Sequence, residues 1–385
     1  MAQRTGRRQG TGVAAVAICV ALAAAGCTSS SPSSAPSPSS PSSAERSRDT
    51  RSPASELCNG SDPCTLQAAG KSDGLIIGTA LKFGPAREAI EVREFSGVTA
   101  ENEFLWSSIH PDPARYDFAG SDKVVAFAQA HHKDLTATHF VWDPPGLKFV
   151  LPQWVRDITD PDELRAAMRA HLTALHDRYG GKIDRWNIVN EPLAADGSLE
   201  HDNHYFQVLG PGYIEEAFRM AAEIWPEAKL VLNENLTEYL PSRSDGLVKL
   251  VERLLDEGIR VDRVGLQSHL FLGEPDFGLA QRTMERITAL GVPVDITELD
   301  IPLLDMSKTK EITLAQQAER GRKMVEACLA VARCESITFW GFDDGSTWLD
   351  DFIQPGTDPL LYDEKLRPKP LYRAVLKALE GGRPS

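Results

Sequence analysis

Short apolar runs, most of them rich in β-branched residues, recur along this chain. Each is followed by a longer stretch whose apolar positions repeat at helical spacing. The runs predict strands at 75–80, 97–100, 135–142, 182–190, 229–234, 263–269, 293–298 and 336–340. The longer stretches predict helices at 85–95, 122–132, 162–179, 211–225, 245–257, 277–290, 314–332 and 369–380. The third of these follows Pro161, a residue suited to a first helical turn. Eight strand–helix units in succession predict an α/β fold, a (β/α)8 TIM barrel, formed as one domain over residues 57–385.

The 56 residues before that domain follow no such rhythm. Arg4, Arg7 and Arg8 make a basic start, and 13–25 is an apolar run too short for a comfortable membrane span. The run ends in Ala24-Ala25-Gly26-Cys27, which resembles the lipobox of bacterial lipoproteins, although Ala24 stands where leucine is usual. Residues 1–26 therefore read as a lipoprotein-type signal and Cys27 as the lipidated residue. The plainer alternative is an ordinary cleaved secretion signal. Arg7-Arg8 lacks the rest of a twin-arginine pattern. Residues 27–56 are mostly Ser, Pro and Ala, too poor in apolar surface to offset chain entropy, and read as a disordered tether.

Charge and cysteine content narrow the partners. The chain carries a formal −14, and removing the signal takes away three arginines and no acids, giving −17. An acidic surface argues against nucleic acid and polyanions and suits a neutral polysaccharide. A membrane would be met only through the lipid, and a monomer is expected. Apart from Cys19 and Cys27, the cysteines form two close pairs, Cys58/Cys64 and Cys328/Cys334. Export makes disulfides the expectation and local pairing the simplest connectivity, while a buried helix thiol is the bland alternative for Cys328. Neither pair has the close-spaced partners of a zinc site, so no metal or cofactor is expected.

Candidate chemistry gathers where a barrel keeps its active face. Asn102, Trp142, Asn190, Glu191, Asn233, His269, Glu298 and Trp340 all fall at or just past the C-terminal ends of predicted strands. Glu191 closes Trp186-Asn187-Ile188-Val189-Asn190-Glu191, and Glu298 lies in Val294-Asp295-Ile296-Thr297-Glu298-Leu299-Asp300. An average glutamate is a solvated surface residue. Two that follow apolar strands toward one face can instead cleave a glycosidic bond, one protonating the leaving oxygen and one attacking or polarising the anomeric carbon. Trp186, with the opposite alternation, reads as packing.

These segments resemble glycoside hydrolase family 10, whose typical members are retaining endo-β-1,4-xylanases. The resemblance rests on Val98-Thr99-Ala100-Glu101-Asn102-Glu103, the Glu191 run, Gln267-Ser268-His269, Ile296-Thr297-Glu298-Leu299-Asp300 and Phe339-Trp340-Gly341-Phe342-Asp343. It implies that Glu191 is the acid/base and Glu298 the nucleophile, oriented by His269 and Asp300. It implies that Asn190 holds the sugar 2-hydroxyl, and that Glu101 and Asn102 contact a sugar on the non-reducing side. Trp142, Asn233, Gln267, Trp340 and Trp348 complete the implied sugar site, although Trp348 also fits an ordinary core tryptophan. The resemblance further implies a Cys328–Cys334 disulfide.

The sugar-holding shell departs from the family pattern. Leu105 stands where a lysine is common. Aligned on Trp142, Thr138 and Asp143 replace two histidines, and strand alternation puts His139 on the opposite face unless a bulge intervenes. Asn235 replaces an aromatic sugar platform. The leading expectation is hydrolysis of internal β-1,4 bonds of xylan. The alternatives are a related hydrolase of another β-glycan or of short oligosaccharides, and a carbohydrate-binding lipoprotein with weak or lost catalysis.

Overall fold

Eight parallel strands close on themselves in the order β1-β8-β7-β6-β5-β4-β3-β2. They are β1 (Ile76–Ala80), β2 (Gly97–Thr99), β3 (Asp134–Ala137), β4 (Arg185–Asn190), β5 (Lys229–Glu234), β6 (Arg263–Leu266), β7 (Val294–Leu299) and β8 (Cys334–Phe339). The computed structural model describes residues 64–307 and 310–384. The helices that follow the strands are α1 (Pro85–Glu94), α2 (Ala119–Ala130), α3 (Pro161–Tyr179), α4 (Tyr213–Ile224), α5 (Pro241–Asp256), α6 (Phe277–Ala289), α7 (Leu314–Leu329) and α8 (Pro370–Gly381). Closure leaves no strand edge exposed, and every barrel strand pairs on both sides.

Local chemistry explains several boundaries. Asp160 accepts the amides of Asp162 and Glu163, and Pro161 fills the first turn of α3. Thr313 and Gln316 form a reciprocal capping box at the start of α7. Trp186 points outward from β4 and is fully buried, 5.0 Å from Trp225 and edge-on to Phe104 at 5.6 Å, which confirms its packing role. A disulfide joins Cys328 at the end of α7 to Cys334 at the start of β8. Cys64 is also disulfide-bonded, whereas Cys58, Cys27, the signal 1–26 and the tether 27–56 lie outside the described residues.

The lower barrel interior is ionic. Arg263 forks onto both Asp295 oxygens, at 2.5 and 2.6 Å, and reaches Glu335 at 2.6 Å, while Arg185 pairs with Asp134. The bidentate geometry compensates for burying these charges.

Two strands end well before their apolar patterns predict. β3 ends at Ala137 instead of reaching residue 142, and β6 ends at Leu266, before His269. In both cases the chain leaves the ladder to aim polar groups over the barrel mouth. The Thr138–His139 peptide is cis, and Ser268 has a φ of +63°.

Candidate active site

Four strand ends supply one hydrogen-bonded network. Asn233, at the end of β5, donates its amide to Asn190 Oδ1 at 2.8 Å and to Glu298 Oε1 at 2.7 Å. Its own oxygen accepts from Thr297 at 2.7 Å, which fixes the amide orientation. Gly265 on β6 makes room, since a Cβ there would lie 2.1 Å from Asn233 Oδ1. Gln267 donates to Glu191 Oε1 at 2.8 Å and to Asn190 Oδ1 at 3.2 Å. The two glutamates are thus joined through three amides, and each receives neutral donors.

Their surroundings differ. Glu298 is 4 % exposed, and its Oε2 lies 3.2 Å from His269 Nε2. Nδ1 of His269 lies 3.0 Å from Asp300 Oδ1, close enough for a strong ion pair though poorly aligned as a hydrogen bond. Burial opposes a charged His269, but Asp300 and then Glu298 outweigh it and raise the imidazole to about 10. Burial pushes the Glu298 carboxyl up, against the pull of His269 and Asn233. We read the pair as an imidazolium held between two carboxylates. Glu191 is half-buried, adopts a φ of +52°, and accepts Trp142 Nε1 on Oε2 at 3.1 Å. It therefore faces the cleft with indole and amide donors and no cation.

Aromatic groups extend the centre. Trp348 donates Nε1 to Asp300 at 2.8 Å, and its ring lies 5.2 Å from His269. This sets the indole beside the His269–Asp300 pair. Trp340 is edge-on to His269 at 6.4 Å. Glu101 and Asn102 stand at the end of β2, where Glu101 pairs with Lys82 from the β1 loop. Among the described residues no hydrogen bond links these two to the central network.

Residues 65–378 match the family described as Glycosyl hydrolase family 10. The chain belongs to this family. It is 34% identical over 288 residues to an endo-1,4-beta-xylanase A of Humicola insolens, covering 74% of each chain. Among solved structures it resembles native xylanase 10B of Thermotoga maritima, with a TM-score of 0.75 and 30% identity over 82% of this chain and 98% of that one. It also resembles xylanase 10B of Thermotoga petrophila in complex with xylobiose, with a TM-score of 0.76 and 29% identity over 83% and 98%.

Within the family 10 barrel, the face left open for His139 turns on where β3 ends. His139 is not on the far face. Because β3 stops at Ala137 and the next peptides leave the ladder, strand alternation no longer applies to it. Its ring lies 4.8 Å from Trp142 and near Asn187, whose amide donates to Asn190 Oδ1 at 3.4 Å. Burial lowers this imidazole to about 3, so it is neutral. The other departures take structural roles. Thr138 donates to the Ala100 carbonyl at 2.6 Å, Asp143 pairs with Arg156 and accepts the His204 amide, and Leu105 is buried in the core.

Sequence reasoning missed Lys82, Glu234 and Arg243. Glu234 immediately follows Asn233 at a strand end, a signal of the same kind as Glu191 after Asn190. It is fully buried, and burial, opposed first by Arg243, raises it to about 8.

Proposed function

We propose that the protein is a retaining endo-β-1,4-xylanase with Glu191 as acid/base and Glu298 as nucleophile. The observation that carries this reading is the asymmetry of the two carboxylates. Glu298 is buried against a charged His269, whereas Glu191 is half-exposed with only neutral donors. A carboxylate locked beside a cation stays ionised and can attack. A carboxyl with no cation beside it can carry a proton to the leaving oxygen.

In the first step Glu298 forms a bond to the anomeric carbon as the bond to the leaving oxygen breaks. The Glu191 proton passes to that oxygen. In the second step Glu191 takes a proton from water, the water oxygen bonds to the anomeric carbon, and Glu298 is released. Two inversions give net retention. Asn190 Nδ2 is buried with no hydrogen-bond partner among the described residues, which fits it as donor to the sugar 2-hydroxyl oxygen. Trp142, Trp340, Trp348, Gln267 and Asn233 hold the reacting sugar, and Glu101 and Asn102 the next sugar toward the non-reducing end.

Xylan is the proposed polymer because xylanases dominate the similar sequences and one similar structure carries xylobiose. Product analysis on xylan, mixed-linkage glucan and mannan tests this. Xylo-oligosaccharides from xylan as the main products support it, and a clear preference for glucan or mannan refutes it. We further propose that residues 1–26 direct export, with Cys27 as lipid anchor and 27–56 as tether. The support is the basic–apolar–small pattern that ends at Cys27.

A further inference from the structure

We infer that Glu234 and Arg243 are positioning residues for the acid/base, acting as a clamp on the backbone of the loop that carries Glu191. The inference rests on the role assigned above to Glu191.

The loop needs such a clamp. Glu191 leaves β4 in the left-handed region and Pro192 follows, so the chain turns out of the ladder at the reacting residue. From there it runs to Glu200, folding back through a Leu193–Leu199 bridge and a Pro192 carbonyl that accepts the Glu200 amide at 2.8 Å. Leu193 and Leu199 anchor the loop against the core, but apolar contacts alone do not orient its peptide groups. Its direction is set by what grips its backbone.

Nearly all of that grip comes from the β5–α5 unit. The Glu191 amide donates to the Asn233 carbonyl at 2.9 Å. The Leu193 amide donates to Glu234 Oε2 at 3.0 Å, and the other oxygen accepts the Asn235 amide at 2.8 Å. Arg243 takes the opposite polarity. Its Nη2 donates to the Leu193 carbonyl at 2.6 Å and its Nε to the Ala194 carbonyl at 3.4 Å. Arg243 Nη1 reaches the Asn235 side chain and lies 3.7 Å from Glu234 Oε1. Both polar groups of Leu193, two residues past Glu191, are thus held by one buried acid–base pair.

The far end of the loop is pinned to the same helix. Ser242 donates to the Ala195 carbonyl at 2.7 Å. A Cβ on Gly246 would lie 2.3 Å from the Gly197 oxygen, so the two backbones touch. Glu234 makes no hydrogen bond to Glu191 itself and meets it only as a neighbouring carboxyl, so its positioning role runs through the loop backbone. A buried acid–base pair is weak evidence of stabilisation. Using it to fix the backbone beside a catalytic carboxyl explains its placement better.

The test separates acid catalysis from general damage. Glu234→Ala and Arg243→Ala are compared with Glu191→Ala and wild type on xylohexaose and on 2,4-dinitrophenyl β-xylobioside. Pre-steady-state formation of the glycosyl-enzyme isolates the first step. A proton is needed only for the sugar leaving group. A misplaced acid of the order of 1 Å costs about a hundredfold. Glu234→Ala should therefore lose roughly ten- to a hundredfold in kcat on xylohexaose with KM nearly unchanged, while glycosylation by the dinitrophenyl substrate stays within about twofold. Arg243→Ala should show the same split, and Glu234→Gln, which keeps one acceptor, a smaller one. Equal loss on both substrates, or none, in soluble folded variants overturns the clamp. If Glu191→Ala itself shows no split, the acid/base reading fails instead.

Discussion

Glu298→Ala should abolish turnover of every glycoside, since no covalent intermediate can form. Glu191→Ala should retain glycosylation by activated aryl glycosides while losing about 10²–10⁴-fold on xylan. Burst kinetics with the two substrate types checks both. The charged His269 gives a second prediction. Burial raises Glu298 and the imidazolium opposes that rise. His269→Gln removes the cation, so the acidic limb of kcat/KM should move to higher pH. An unmoved limb would mean that His269 is not charged beside the nucleophile. Glu191, Glu298 and Asn190 stand out in the sequence because each lies at the end of a predicted strand, whereas Gln267 stands out only through the family resemblance. Glu234 and Arg243 were not legible, because their partners are backbone groups of a loop whose path only the fold reveals. The face of His139 stayed open for a related reason, since strand alternation predicts a face only as far as the ladder continues.

Among the elements, those with long apolar periodicity were legible. β5 runs over Lys229–Glu234 as its pattern predicts, and α3 starts at Pro161, one residue before the expected 162. The short helices Trp106–Ile109, Gln153–Arg156, His204–Leu209 and Leu349–Phe352 were not, being too short to show a period. The α3 helix carries a testable liability. His171 is buried and stacks on Trp106 at 4.1 Å, parallel to His110 at 6.0 Å, and Phe140 and Tyr116 complete its surroundings. Neither ring nitrogen has a hydrogen-bond partner among the described residues, and burial, reinforced by His110, holds it neutral well below its usual value. Its stabilising contribution is present above the unfolded value near 6.5 and is lost as pH falls, because only the unfolded chain takes up the proton. The loss is at most about 1.4 kcal/mol per pH unit. His171→Leu should therefore shrink the drop in Tm between pH 7 and pH 5. An unchanged drop would mean the imidazole gains a proton in the folded state.

At the scale of the whole molecule, the barrel brings residues scattered from Glu101 to Trp348 to one face, which is why strand-end polar residues are the ones the sequence singles out as candidates. Export is a separate prediction at this scale. Mass spectrometry of the mature amino terminus should find a lipid on Cys27, and release of Cys27→Ala into the medium should accompany it. A free terminus downstream of Cys27 would make the protein an ordinary secreted enzyme. The central claim is double displacement by Glu298 with proton transfer by Glu191. It requires the two carboxyl groups to act at about 5–5.5 Å, with no water between them in the first step. The most direct measurement is proton NMR of the anomer first released from xylohexaose, recorded before mutarotation. The account predicts the β-anomer, and an initial α-anomer would contradict it.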